Sequence, residues 1–205
     1  MADGIFAIVM TLMVLELKLP AVHGSSNHEL WTALLAQRTV FSSYFVSFAV
    51  LFVYWRAHNF LITILAKNID INLLTINGLF LFFVGLLPFS TQLAGTYNHT
   101  SLAISLYALN LILIGVSLVF MRFYIEKSDR IENLQRTAAQ RRAASIRTIL
   151  PIIFAAAAIP ISFISTGWAD IILLVGVAYN FLNNAADLAD KYLIQPVNKI
   201  LRIKL

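Results

Sequence analysis

LLTINGLFLFFVGLLPFSTQLAGTYNHTSLAISLYALNLILIGVSLVFM (73–121) contains no Asp, Glu, Lys or Arg. A bilayer-spanning helix needs about 20 apolar residues, so the stretch is far too long for one span. The polar run GTYNHTS (95–101) divides it. The pattern predicts two spans, over about 73–95 and 102–122, joined as a tight hairpin. The rest of the chain follows the same pattern. Hydrophobic residues make up 60% of the 205 residues and charged residues 12%, and mean hydropathy is +0.80. A soluble domain carries about twice that charge fraction. One small globule has no interior large enough for this much apolar surface, so the solvent is a membrane.

Upstream, an amphipathic piece from Leu30 to Gln37 leads into a span over about 39–66, closed by Lys67, Asn68 and Asp70. The opening run, MADGIFAIVMTLMVLELKL (1–19), gives a span over about 4–19 that stops at Pro20. No basic region precedes its apolar stretch, and Glu16 and Lys18 stand where a cleavage site would need small residues, so a membrane helix is expected here, not a cleaved signal peptide. Downstream come a hydrophilic loop (122–147), a span over 148–165 with Pro151 near its start, a span over 169–188, and a basic tail. Pro88 and Pro160 are expected to kink or break their helices. The expected fold class is all-α: a polytopic membrane protein of six transmembrane helices forming a single domain over 1–205.

Basic residues concentrate on alternate connections. Loop 122–147 holds Arg122, Lys127, Arg130, Arg136, Arg141, Arg142 and Arg147, the tail holds four more, and Lys67 falls between the second and third spans. The other side holds only Lys18 and Arg38. The asymmetry puts both termini and loop 122–147 in the cytoplasm of a cell whose plasma (inner) membrane holds the protein. It also accounts for the net charge of +5 through anionic lipid headgroups, so no nucleic-acid partner is expected. Cysteine is absent, which excludes disulfides and thiolate metal sites.

Enzyme signatures are lacking: there is no H-E-x-x-H, G-x-S-x-G, phosphate loop or carboxylate pair on a membrane face, and no Thr-Val-Gly-Tyr-Gly filter. The chain is expected to be neither an enzyme nor a cofactor binder. What remains is a set of polar groups inside spans, each costly unless it has a purpose. Trp55, His58 and Asn59 share a helical face by their i, i+3 and i+4 spacing. They suit an interhelical hydrogen-bond network. A proton relay would need acids along the membrane depth, and spans two to four supply none. Asp3 either caps the first helix or finds a partner at the depth of Trp55 and His58. Asn77, Ser90, Thr91, Gln92 and Asn180 read as polar glue between helices. In the first helix, Ile8, Leu12 and Leu15 form one stripe at i, i+4 and i+7, with Thr11 at its border. Such a stripe by itself serves lipid contact or helix packing equally well.

DGIFAIVMTLMVLELKLP (3–20), VYWRAHNF (53–60) and LLPFSTQLAG (86–95) resemble the bacterial branch of the transmembrane protein 175 family, the endosomal and lysosomal potassium channels. Members share a first-helix motif RxxxFSD followed by a G-x-F-A-I-x-x-T-L-like run. Asp3 matches the end of that motif, while Met1 and Ala2 stand at its Phe and Ser. The resemblance implies four subunits around a potassium-selective pore lined by helix one. It further implies a constriction of Ile8, Leu12 and Leu15, with Thr11 as the hydroxyl that sets potassium preference. Asp3, Trp55 and His58 are implied to tie helix one to its neighbours. Potassium ions, the lipid bilayer and three further copies of the chain are the implied partners, and no metal beyond permeating potassium is expected. Two other readings compete on the sequence: a secondary transporter or proton-conducting protein using His58, Asp3 and Glu16, and a non-conducting scaffold acting through its basic loop.

Overall fold

A computed structural model of the chain describes residues 1–15, 17–18, 26–66, 68–128, 131 and 138–181. In order, its helices are α1 (Ala2–Leu15), α2 (Asn27–Ala36), α3 (Arg38–Asn59), which continues as a π-helical stretch over Phe60–Leu65, α4 (Ile71–Gly85), α5 (Leu87–Thr96), α6 (Ser101–Lys127), α7 (Ala138–Ser162) and α8 (Thr166–Phe181). Among the described residues, three stretches are long and apolar enough to cross a membrane: Arg38–Thr63, Ile71–Thr96 and Ser101–Lys127. Shorter apolar helices cover Ala2–Leu15, Thr148–Ser162 and Thr166–Tyr179.

Local chemistry sets several of the boundaries. Ser26 accepts from the Glu29 N–H at 3.1 Å and starts α2. Asp70 caps α4 by accepting from the Leu73 N–H at 2.9 Å. Each cap satisfies a donor that the first helical turn leaves without an intrahelical partner. The expected break at Pro88 separates α4 from α5, with the proline in the first turn of the second piece, where its missing N–H costs nothing. At Pro160 the expectation of a break is not met: α7 continues to Ser162. That proline lies within the last turn, and Ser162 Oγ donates back to the Ile159 carbonyl at 2.7 Å, ending the helix there. The expected loop 122–147 is also shorter than its charge suggests. Residues 122–127 complete α6, and α7 begins ten residues before Thr148. AAQRRAAS (138–145) is rich in Ala and Arg, both strong helix formers, so helix continues where hydropathy falls.

The hub is α6, which packs against α7, α4, α5 and α8, while α1 leans on α3 and α4. A polar seam crosses the interior between α3, α5 and α6. Ser47 Oγ lies 2.8 Å from Tyr107 OH and 2.8 Å from Thr91 Oγ1, which also reaches the Leu87 carbonyl at 2.8 Å. Because that carbonyl can only accept, the three hydroxyls form a connected chain ending on it. Tyr54 OH donates to the Leu111 carbonyl at 2.9 Å, and Asn110 donates to Ser90 Oγ at 3.0 Å. In an apolar surrounding these bonds specify which helix faces meet.

Two glycines permit the closest crossings. A Cβ at Gly115 would stand 2.5 Å from Ile152 Cγ1 and 3.2 Å from Tyr54 OH. At Gly176 it would stand 2.7 Å from Phe154 Cβ, the rigid root of that side chain. The Gly176→Ala variant therefore has to push α8 off α7. It is expected to lose about 1–3 kcal/mol, read as a lower melting temperature in detergent. An unchanged melting point would show that the two helices separate without cost.

Candidate functional site

Two sides of α1 differ in kind. Phe6, Val9 and Met13 are buried, at most 4% exposed, and plug the helix into the subunit core. The opposite side is bare. Ile8 is 58% exposed, Leu12 45% and Leu15 72%, and Gly4, Ala7 and Thr11 are exposed beside them. The three large residues expected to form a stripe thus lie together on an unpartnered surface of the subunit. Thr11 Oγ1 lies 2.9 Å from the carbonyls of both Ala7 and Ile8. Its proton is committed to its own helix, which leaves oxygen lone pairs, not a donor, to meet anything arriving from outside. An oxygen that can only accept suits a cation.

Behind the stripe, α1 is fastened in two ways. Trp55 Nε1 donates to Asp3 Oδ1 at 2.8 Å, joining α3 to the first turn of α1. His58 does not bond Asp3. Its Nε2 meets Asn77 Oδ1 of α4 at 2.7 Å, and its ring stacks on Phe80, centroids 5.1 Å apart and planes 3° apart. Phe6 tilts against both rings at 5.9 Å. The structure therefore brings Asp3 and Trp55 together and places His58 in a three-ring aromatic cluster. Asn77 and the two phenylalanines complete that cluster. Sequence reading assigned Asn77 only to helix contact in general and missed the rings. The signal was present: Phe6, Val9 and Met13 recur on the side of the helix away from Ile8 and Leu12.

Among the described residues no group of three or more His, Asp or Glu side chains is arranged to hold a metal ion. Glu16 and the basic tail lie outside the described residues, as does the side chain of Asn180. Lys18 is exposed.

These features define a class, a multi-pass helical membrane protein whose first helix turns a bare aliphatic face with one hydroxyl outward from a fixed anchorage. The family model described as "Endosomal/lysosomal potassium channel TMEM175" matches residues 1–88, the part that contains α1, Trp55, His58 and Asn77. A curated potassium channel of Streptomyces collinus is 28% identical over 153 residues, covering 73% of this chain and 73% of that protein. One from Chryseobacterium is 30% identical over 128 residues, 62% of this chain and 63% of that protein. The crystal structure of a lysosomal potassium-selective channel TMEM175 homologue from Chamaesiphon minutus superposes with a TM-score of 0.72 at 25% identity. The superposition covers 87% of this chain and 92% of that one. Over its first 88 residues the chain is thus similar to the TMEM175 family, and it shares the fold of the Chamaesiphon homologue over most of its length.

Proposed function

We propose that this protein is a potassium channel in which the bare face of α1, gathered from four copies of the chain, forms the ion path. The carrying observation is the exposure of Ile8, Leu12 and Leu15 on a helix whose other side is locked into the core. In this reading the single domain crosses the bilayer six times. The basic connections fix both termini on the cytoplasmic side of the plasma membrane. Each ring of aliphatic side chains is a hydrophobic neck, which conducts while wide enough to stay wet and closes by dewetting when it narrows. Potassium holds its water less tightly than sodium and loses less at such a neck. Thr11 oxygens, bordering the stripe with lone pairs outward, offset part of the remaining cost.

The Asp3–Trp55 bond and the His58 ring cluster hold the tilt of α1, and with it the width of the neck, without touching ions. That assignment also disfavours the proton-relay reading: the side chain hydrogen-bonded to His58 is the Asn77 amide and not the Asp3 carboxylate, and an amide carries no proton onward.

The test is flux through reconstituted protein. Potassium permeability is expected to exceed sodium permeability in liposomes. The Thr11→Val variant, which keeps shape and removes the oxygen, is expected to lower the potassium-to-sodium ratio by roughly fivefold, the equivalent of about 1 kcal/mol. Vesicles whose flux matches that of empty liposomes would overturn the channel reading. An unaltered ratio in Thr11→Val would remove the hydroxyl from selectivity.

A further inference from the structure

The amphipathic segment expected ahead of the second span is α2, and the ion path makes no use of it. At about 100° per residue, Leu30, Trp31, Leu34 and Leu35 fall within an arc of about 140°, with His28, Glu29 and Thr32 on the rest of the helix. The subunit leaves that arc largely uncovered. Leu30 is 46% exposed, Trp31 62% and Leu35 47%, Leu34 is half-buried, and no residue of α2 is buried. Ten residues are too few to hold a helix by themselves in water, where even about 12–15 are marginal. Something outside the subunit covers the apolar arc.

The position of α2 identifies the cover. From Thr39 to Trp55, α3 carries no charge, a run of about 25 Å, so hydrocarbon begins near Arg38. Only Gln37 separates Arg38 from α2. At φ −92° and ψ 9° it has left the helical region, so α2 does not continue the axis of α3. The other connections at this end stand at the same level. Gly95 of α5 lies against α3, where a Cβ on it would be 3.3 Å from Val40 Cα, and Ser162 Oγ of α7 lies 3.4 Å from the Ser101 carbonyl of α6. The α5–α6 turn exposes Tyr97, and α8 exposes Trp168 just after the α7–α8 turn. Tyrosine and tryptophan gather where hydrocarbon meets water. With Trp31, each of the three connections at this end carries one.

We propose that α2 is an interfacial helix that binds the lipid surface of the leaflet at this end. Leu30, Trp31, Leu34 and Leu35 sit among headgroups and upper acyl segments, and His28, Glu29 and Thr32 face water. Such a helix lies in the membrane plane with its apolar side sunk about 5–10 Å. Burial of apolar surface selects the occupant, so headgroup charge is immaterial. The contact ties the connection that follows α1 to the bilayer surface, while Asp3 and Trp55 fasten the other end of that helix. The inference does not depend on ion conduction, and its test involves none.

The chain contains no cysteine, so single-cysteine spin labelling supplies that test directly. Each residue from His28 to Leu35 is replaced in turn by cysteine in the full-length protein, labelled, and reconstituted in phosphatidylcholine liposomes. Relaxation by oxygen, which partitions into hydrocarbon, is compared with relaxation by a nickel chelate, which stays in water. The oxygen-to-nickel ratio is expected to be about fivefold higher at positions 30, 31, 34 and 35 than at 28, 29 and 32. A uniformly low ratio would place α2 in water. Labels at 30, 31, 34 and 35 that are immobile and shielded from both reagents would give the arc to a second copy of the chain. Either result overturns the proposal, as does a pattern that appears only when phosphatidylglycerol is added. The readout is a helical period over many positions, so one variant that fails to fold cannot hide it.

Discussion

Substituting asparagine for Ile8 is expected to raise potassium flux by about tenfold while leaving the subunit folded. Two observations fix the sign. The Ile8 side chain is 58% exposed, so it contributes little to the packing of α1 onto α3 and α4, and its loss opens no internal cavity. In a pore ring, however, four apolar side chains exchanged for amides convert a neck that sheds water into one that retains it. The barrier at such a constriction is chiefly the cost of dewetting, so a polar ring lowers it more than a modest change of width does. Ile8→Phe, larger and equally apolar, is expected to act in reverse and suppress flux. Liposome flux assays on both variants, beside melting curves, check the pair. If neither variant shifts flux and both melt like the parent, the bare face of α1 looks onto lipid, and the path for ions lies elsewhere.

Removing the ring of His58 is expected to be the most destabilising of the single changes considered, at roughly 3 kcal/mol for His58→Ala. The magnitude comes from packing. The hydrogen bond to Asn77, 2.7 Å long, is worth about 0.6 kcal/mol in a membrane interior, because the unfolded helices find other polar partners there. The ring itself is one corner of a three-ring cluster with Phe6 and Phe80, and the void left by alanine forfeits its contacts with both. His58→Phe keeps the ring and is expected to recover most of the stability while losing the bond. Since Phe6 is the residue through which α1 joins this cluster, His58→Ala is also expected to broaden the distribution of conductances. Equal destabilisation by alanine and phenylalanine would assign the anchorage to the Asn77 bond instead.

Different parts of this molecule were legible to different degrees. The break at Pro88 was readable because a proline missing its N–H fits best in a first turn, and α5 begins there. Pro160 carries the same local chemistry, yet it sits exposed in the last turn and α7 runs through it to Ser162, which no local rule registers. Likewise, charge marked 122–147 as outside the hydrocarbon, and that says nothing of helicity: both flanking helices run on into it. The Trp55–Asp3 contact was one of two open alternatives for Asp3. Its resolution needed the relative depth of α1 and α3.

Composition and the charge-free run at 73–121 determined by themselves that the chain is helical and lives in a membrane. A bilayer admits no other way of satisfying so many backbone groups in so apolar a sequence. The spacing of Ile8, Leu12 and Leu15 likewise determined that they share one side of α1. Which side of that helix faces the core was decided only by tertiary structure. Both sides are apolar, and in lipid no hydrophobic force distinguishes them. The choice fell to shape and to a few polar contacts: Phe6 against the stacked His58–Phe80 pair, Trp55 onto Asp3, and glycines where helices cross.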